Sequence, residues 1–559
     1  MACRLERAET VTNARLAVFW KMEARMQGSE IHALEIVLLL LLLFVVIFGD
    51  LARRLNTPYP IVLVVAGLLL SFIPGIPRFS LNPEAIFFVV LPPLLFSAAW
   101  LTSWREFSFN LVSIFLLAFG LVTFTVLGIA YAAPWFLPGF DWRMGLVLGA
   151  VVAPTDAIAA TSIAKRIGLP KRIVDILEGE SLVNDATSLL ALEFGLALLA
   201  GDQTPTIISG FLRVTYLTVA GIAIGLVIGV VVDWIEHRID DAPIEIALSI
   251  LTPYVAYLTA DSLRASGVLA VVACGLYLSR MSSHFFSASV RLQAWAVWDS
   301  LTFILNGFVF VLLGLQLPYV LNAIREHSHR EVFLYGALFS ALLILLRLIW
   351  IFPGGSLAYV IRKHVLQQRM DMFTLRQALI VGWTGMRGVI SLAAAIALPQ
   401  TFGDRPFPQR NLIVFLAFSV ILVTLVLQGL TLPAVIRAVG LAGDSGADSE
   451  EREARRLILE AALAYLEEIR SKDVSEFAEV YNDLAHHYRH RLATVSDGGG
   501  LENDSASARY ARSIDISRDL LRVERQTAVR LRNQRRISDA VLRRLERELD
   551  LSEERLFNG

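Results

Sequence analysis

The chain has 559 residues, is 55 % hydrophobic, and has a mean hydropathy of +0.60 with only 18 % charged residues. The net charge of −1 averages two unlike parts, a charge-poor stretch over about 34–440 and an Arg- and Glu-dense one over 441–559, and so points to no nucleic-acid partner. Cys3 and Cys274 are too few and too far apart for a disulfide framework or a thiolate metal site.

Residues 1–33 are mixed in charge and lack a signal peptide's apolar core and cleavage site. Met26 opens "MQGSEIHALEIVLLLLLL", so the segment reads as an N-terminal extension upstream of a later start. From there to about residue 440 apolar blocks recur, each near the roughly 20 residues that a helix needs to cross a bilayer. The expected spans lie near 34–48, 59–73, 84–101, 109–137, 143–165, 172–200, 206–236, 244–262, 264–281, 293–321, 331–361, 374–399 and 410–438. The fold class is therefore an all-α polytopic membrane protein with thirteen spans and a helical tail. About twice as many Lys and Arg follow odd-numbered spans as even-numbered ones, among them Arg53, Arg54, Lys165, Arg166, Lys171 and Arg172. That bias predicts a cytoplasmic tail and an external N-terminus.

Three stretches inside the spans are polar. The fifth span contains "GAVVAPTDAIAATSIA", where Pro154 breaks the helix and Thr155 and Asp156 add oxygens. Such a break survives in lipid only where it is buried in protein or lines a cavity. Its freed carbonyls, hydroxyl and carboxylate suit a hard cation. The sixth span contains "GESLVNDATSLL": Glu180 and Asn184 share one helix face, and Ser181, Asp185 and Ser188 the adjoining one. Serine and asparagine alone would read as interhelical glue. Two acids beside a broken helix that carries a third point to an ion pathway instead. The twelfth span holds "VGWTGMRGVISLAAAIALP", with glycines around Arg387. That arginine needs an acid or carbonyls, and Glu180 is the expected partner. Interrupted helices at corresponding places in two halves mark a midplane transport site.

The tail divides at "SDGGGLENDSASAR". Before it, Leu457, Ala461, Leu463, Ala464 and Leu466 predict a helical apolar face; after it, Val541, Leu542, Leu545, Leu549 and Leu551 predict another.

"APTDAIA", "GESLVNDATSLLALEF" and "GWTGMRGVISLAAAIALP", with "LPPLLFSAAW" at 91–100, resemble the bacterial monovalent cation/proton antiporters of the family that includes the animal Na⁺/H⁺ exchangers. The resemblance covers roughly 34–440, and the tail's "RRISDAVLRRLERELDLSEERL" resembles many bacterial members' cytoplasmic ending. It implies a thirteen-helix protomer with inverted repeats, a six-helix core and a dimerisation domain, working as a homodimer by an elevator-like movement. It further implies that Asp185 binds the proton and the ion and that Asn184 shapes the site. Thr155, Asp156 and Ser181 would help to coordinate Na⁺, and Glu180 and Arg387 would form a structural ion pair. Many relatives carry an acid where this chain has Ser97, so any supporting role of that acid falls to a hydroxyl here.

Glu193, Asp233, Asp261, Asp299 and Arg347 also lie in or near spans; Arg347, within "LLILLRLIW", needs a partner that the sequence does not identify. An intramembrane aspartyl protease fits less well, since neither Asp156 nor Asp185 sits in a Gly-x-Gly-Asp stretch. The expected function is electroneutral Na⁺/H⁺ antiport, with no cofactor, in the bacterial inner membrane for pH and sodium homeostasis. K⁺/H⁺ exchange on the same fold is the alternative, because selectivity rests on cavity dimensions that sequence does not display.

Overall fold

The computed structural model describes residues 38–73, 86–200, 207–285, 287–325, 328–368, 374–402, 405–407, 409–443, 446–472, 478–496, 504–534, 536 and 539–558. The N-terminal extension at 1–33 lies outside the described residues. The chain divides into two compact units, 1–444 and 445–559.

Among the described residues, the regular structure of the first unit is helical apart from a two-residue antiparallel pairing of Thr401–Phe402 with Arg405–Pro406. Helix α1 covers 38–54. Then come α2 (Tyr59–Leu70), α3 (Leu91–Leu101, entered through a π turn at Ile86–Val90) and α4 (Trp104–Phe136). A broken pair follows, α5a (Trp142–Val152) and α5b (Ala157–Ile167), bent by 43°. The series continues with α6 (Lys171–Ala200), α7 (Ile207–Glu236), α8 (Ala242–Ser262), α9 (Gly267–Phe285), α10 (Ala288–Leu315) and α11 (His329–His364). A second broken pair is α12a (Leu375–Trp383) and α12b (Val389–Ile396), and α13 spans Arg410–Val439 with a π stretch at Thr424–Gln428. Among the described residues, seven helices are long and apolar enough to cross a membrane, or eight counting the α5 pair as one span.

Local sequence explains where these helices start and stop. The Asp141 side chain accepts from Met144 N at 2.8 Å and caps α5a, and Ser328 with Glu331 and Thr374 with Gln377 form capping boxes at α11 and α12a. Helix α5b ends at Gly168 (φ 74°), a left-handed position that glycine adopts without strain. Small residues set how closely helices approach: a Cβ on Gly145 would stand 2.7 Å from Ala130 Cα, and one on Gly149 2.8 Å from Val126 Cα. Close backbone approach of this kind is how membrane helices gain van der Waals contact without a hydrophobic drive. It seats α5a against α4 and so fixes the break at 153–156.

The second unit consists of α14 (Gly446–Lys472), α15 (Ala478–Ser496), α16 (Asp504–Asn533) and α17 (Asp539–Asn558). Arg489 bridges to Glu467 at 3.1 Å, and Arg525 donates to Asp550 at 2.5 Å and Glu553 at 2.8 Å. The inward faces match those predicted in part: Leu463, Leu466, Leu545 and Leu549 are half-buried. Leu459 is buried while Leu457 is exposed, and Leu542 is buried while Val541 and Leu551 are exposed. Each stretch carries more apolar residues than one face holds, so periodicity alone left the choice open.

Candidate ion-binding site

The two helix breaks cross each other. The main-chain N–H of Asp156 donates to Met386 O at 2.8 Å. The Arg387 guanidinium donates to Ala153 O at 2.5 Å and Pro154 O at 3.2 Å, and Ser391 Oγ donates to Pro154 O at 3.4 Å. Arg387 N donates to Thr424 Oγ1 at 3.0 Å, from the π stretch of α13. Backbone groups that an unbroken helix would pair internally are thus satisfied across the crossing, as burial in lipid demands. The charges follow the half-helix dipoles. Arg387 sits on the carbonyls that end α5a, and Asp156 caps the start of α5b, accepting from Ile158 N at 2.8 Å.

Helix α6 lays its polar face along this crossing. Ser181 Oγ donates to Thr155 O at 2.7 Å and accepts from Ala157 N at 3.3 Å, bridging the break. Asn184 Nδ2 donates to Thr155 Oγ1 at 2.5 Å, and that hydroxyl donates in turn to Glu180 Oε1 at 3.4 Å. Thr155 Oγ1 and Ser181 Oγ therefore spend most of their hydrogen-bonding capacity on holding the break. Asp185 differs: it is 4 % exposed, and its Oδ1 is buried and has no hydrogen-bond partner among the described residues. The charge that acts on it is the like charge of Asp156.

Asp156, Asp185, Thr155 and Ser181 line one cavity of about 330 Å³, and Ser97 stands in its wall. The site residues expected from the sequence are thus brought together, with one correction. Glu180 does not pair with Arg387. Its carboxylate takes a two-pronged ion pair from Arg347, Nη1 to Oε1 at 2.5 Å and Nη2 to Oε2 at 2.8 Å, both residues at most 2 % exposed. Arg347 also donates to Val381 O from Nε at 3.2 Å and from Nη2 at 3.1 Å, tying α11 and α6 to the end of α12a. Arg387 lies within electrostatic reach of Glu180, but the freed carbonyls of the α5 break claim its guanidinium. The sequence does not identify the partner that Arg347 needs, because that partner is 167 positions away. Tyr59, Thr302 and Asn306, which the sequence does not single out, also line the cavity, from α2 and α10. No local signal separates these three from other polar residues of largely apolar helices. Glu193 is exposed and bridges Arg213 at 3.2 Å, away from the constellation.

Gly388 sets the spacing of the crossing. A Cβ there would stand 2.6 Å from Asp156 Cβ and 2.9 Å from its Oδ2. Its φ of −122° suits any residue, so space alone demands glycine. Gly388→Ala is expected to force the two breaks apart at Asp156 Cβ, cutting exchange by proteoliposomes at least tenfold and lowering thermal stability by about 1–3 kcal/mol. Undiminished flux would show that Asp156 need not stand where it does.

The comparisons with known proteins bear on the family and the fold. The family model described as "Sodium/hydrogen exchanger, transmembrane" matches residues 39–438. An uncharacterized Na⁺/H⁺ exchanger of Mycobacterium tuberculosis is 34 % identical over 532 residues, covering 94 % of this chain and 96 % of the relative. A sodium, potassium, lithium and rubidium/H⁺ antiporter of Bacillus pumilus is 33 % identical over 457 residues, covering 78 % of this chain and 66 % of the relative. Among solved structures, the sodium proton antiporter of Methanocaldococcus jannaschii at pH 8 superposes with a TM-score of 0.57 at 20 % identity, over 73 % of this chain and 98 % of that one, a likeness of fold. A match over the whole membrane unit, together with relatives that align nearly end to end, makes this chain a multi-pass member of the sodium/hydrogen exchanger family.

Proposed function

We propose that the protein is a secondary transporter, not an enzyme, that exchanges one Na⁺ for one proton at Asp185 by alternating access. The observation that carries this is the Asp185 carboxylate, buried in the wall of a cavity with an oxygen that no donor among the described residues satisfies and a like charge beside it. A carboxylate so placed is neutralised by a proton or a cation. Asp156, Thr155 and Ser181 complete the oxygen set for Na⁺, Asn184 shapes it, and Ser97 supports it from the cavity wall. No cofactor takes part. The protein works as a homodimer in the bacterial inner membrane, with its tail in the cytoplasm, and serves pH and sodium homeostasis. Broader selectivity is the second reading, favoured by the Bacillus pumilus relative, whose name includes potassium, lithium and rubidium.

The balance of charges supports the one-for-one stoichiometry. Two guanidiniums, Arg347 and Arg387, stand among three carboxylates, Glu180, Asp156 and Asp185, leaving one negative charge for one proton or one monovalent cation. Exchange is therefore expected to be electrically silent. Everted vesicles given Na⁺, Li⁺ or K⁺ separately measure selectivity. In proteoliposomes with opposed pH and Na⁺ gradients, clamping the membrane potential should leave the flux unchanged. A second exchanging carboxylate would instead respond by about 2.3 kcal/mol per charge per 100 mV.

A further inference from the structure

Two charged residues line the cavity outside the constellation just described, Lys165 and Glu178. They form an ion pair, Nζ to Oε1 at 2.8 Å, with side chains 64 % and 28 % exposed. Asp185 and Thr155 line the same cavity at 4 % and 6 % exposure. The lining thus runs from buried carboxylate to exposed ion pair, and Lys165 and Glu178 mark the mouth. Their placement on the helices is equally direct. Lys165 lies in the last turn of α5b, whose first turn Asp156 caps. Glu178, Ser181 and Asp185 follow one face of α6 at intervals of three and four residues, which puts Glu178 about 10 Å along the axis from Asp185. Lys171 and Glu106 form a second pair nearby at 3.1 Å, and Asp175 lies within electrostatic reach of all four residues.

We propose that the Lys165–Glu178 pair governs cation entry to the cavity, setting the apparent affinity for the transported cation without joining its binding site. The proposal rests on the transport reading above. An unpaired ammonium at the mouth would repel an approaching Na⁺, whereas an unpaired carboxylate would concentrate it. Paired, the two nearly cancel. Such a pair in contact with water is weakly held. An arriving cation can therefore take the ammonium's place on Glu178 and pass to Ser181 and Asp185 along the same helix face. A pair that only stapled α5b to α6 would behave otherwise, since losing either partner would harm the protein in the same direction.

The test uses everted membrane vesicles with Na⁺ added outside at fixed pH and low ionic strength, comparing wild type with Lys165→Gln, Glu178→Gln and the double variant. A full charge about 10 Å from the site, in a partly solvated cavity, changes affinity by roughly threefold to tenfold. The KM for Na⁺ should fall by about that factor in Lys165→Gln, rise by a similar factor in Glu178→Gln, and return to within about twofold of wild type in the double variant. The kcat should change little throughout. The shifts should shrink when choline chloride raises the ionic strength, because a mouth open to water is screened. Single variants that both raise the KM, or that lower kcat at constant KM, would make the pair structural and overturn the proposal, as would single variants that match wild type. Absence of exchange by the wild-type chain would overturn the transport reading itself, an outcome distinct from active wild type with unmoved variants.

Discussion

Asp185→Asn is expected to abolish exchange while leaving the protein folded, inserted and at least as resistant to heat as wild type. The asparagine is nearly isosteric, so packing around residue 185 is kept. It can neither bind a proton reversibly nor offer a full negative charge to Na⁺. The two effects therefore point in opposite directions. Asp185 Oδ1 is buried with no hydrogen-bond partner among the described residues, beside the like charge of Asp156. Removing a buried, unsatisfied carboxylate relieves a burial cost of about 1–3 kcal/mol or more. A merely structural aspartate would do the reverse, losing stability along with function. The measurement pairs Na⁺-driven proton flux in proteoliposomes with the melting temperature of the purified variant in detergent. Substantial antiport by the variant would remove Asp185 from the centre of the mechanism. A melting temperature well below wild type would mean that its carboxylate has a stabilising partner.

Much of this site was legible in the sequence because its signals are local. Pro154 breaks a helix wherever it occurs inside one. The glycines around Arg387 loosen α12 in the same self-contained way, and the spacing of Glu180, Ser181, Asn184 and Asp185 assigns their faces with no knowledge of neighbours. What was not legible depends on which surfaces meet. Two membrane arginines, Arg347 and Arg387, could each have answered Glu180, and no period in α11 tells which of its faces meets α6. The crossing decides the matter. It frees the Ala153 and Pro154 carbonyls, and these take the Arg387 guanidinium. Arg347 is then the cation that satisfies Glu180. Tyr59, Thr302 and Asn306 were silent for a related reason: a polar residue in an apolar helix looks alike whether it faces lipid, a neighbour or a cavity.

Breaking the Arg347–Glu180 pair by deleting one partner should destabilise the protein, and replacing the pair whole should uncouple stability from transport. Both side chains are out of water, and two parallel N–H···O bonds join them. Deleting one partner leaves the other as an uncompensated buried charge, at a cost of about 3–5 kcal/mol. Glu180→Gln and Arg347→Ala are each expected to lower the melting temperature in detergent markedly. Glu180→Leu combined with Arg347→Met removes both charges and refills the volume. Since apolar replacements of a buried pair are often neutral, this double variant should melt closer to wild type than either charge deletion. Transport should not return with stability. Glu180 Oε1 also accepts from Thr155 Oγ1, which holds Asn184 Nδ2 beside Asp185. A leucine gives that hydroxyl nothing to donate to, so Thr155 and Asn184 lose their anchor even in a well-packed protein. Recovered stability with absent exchange would establish that the carboxylate has two separable tasks, holding α6 to α11 and aligning the residues beside Asp185. A double variant as unstable as the sum of its parts would show that the two residues do not act as a pair.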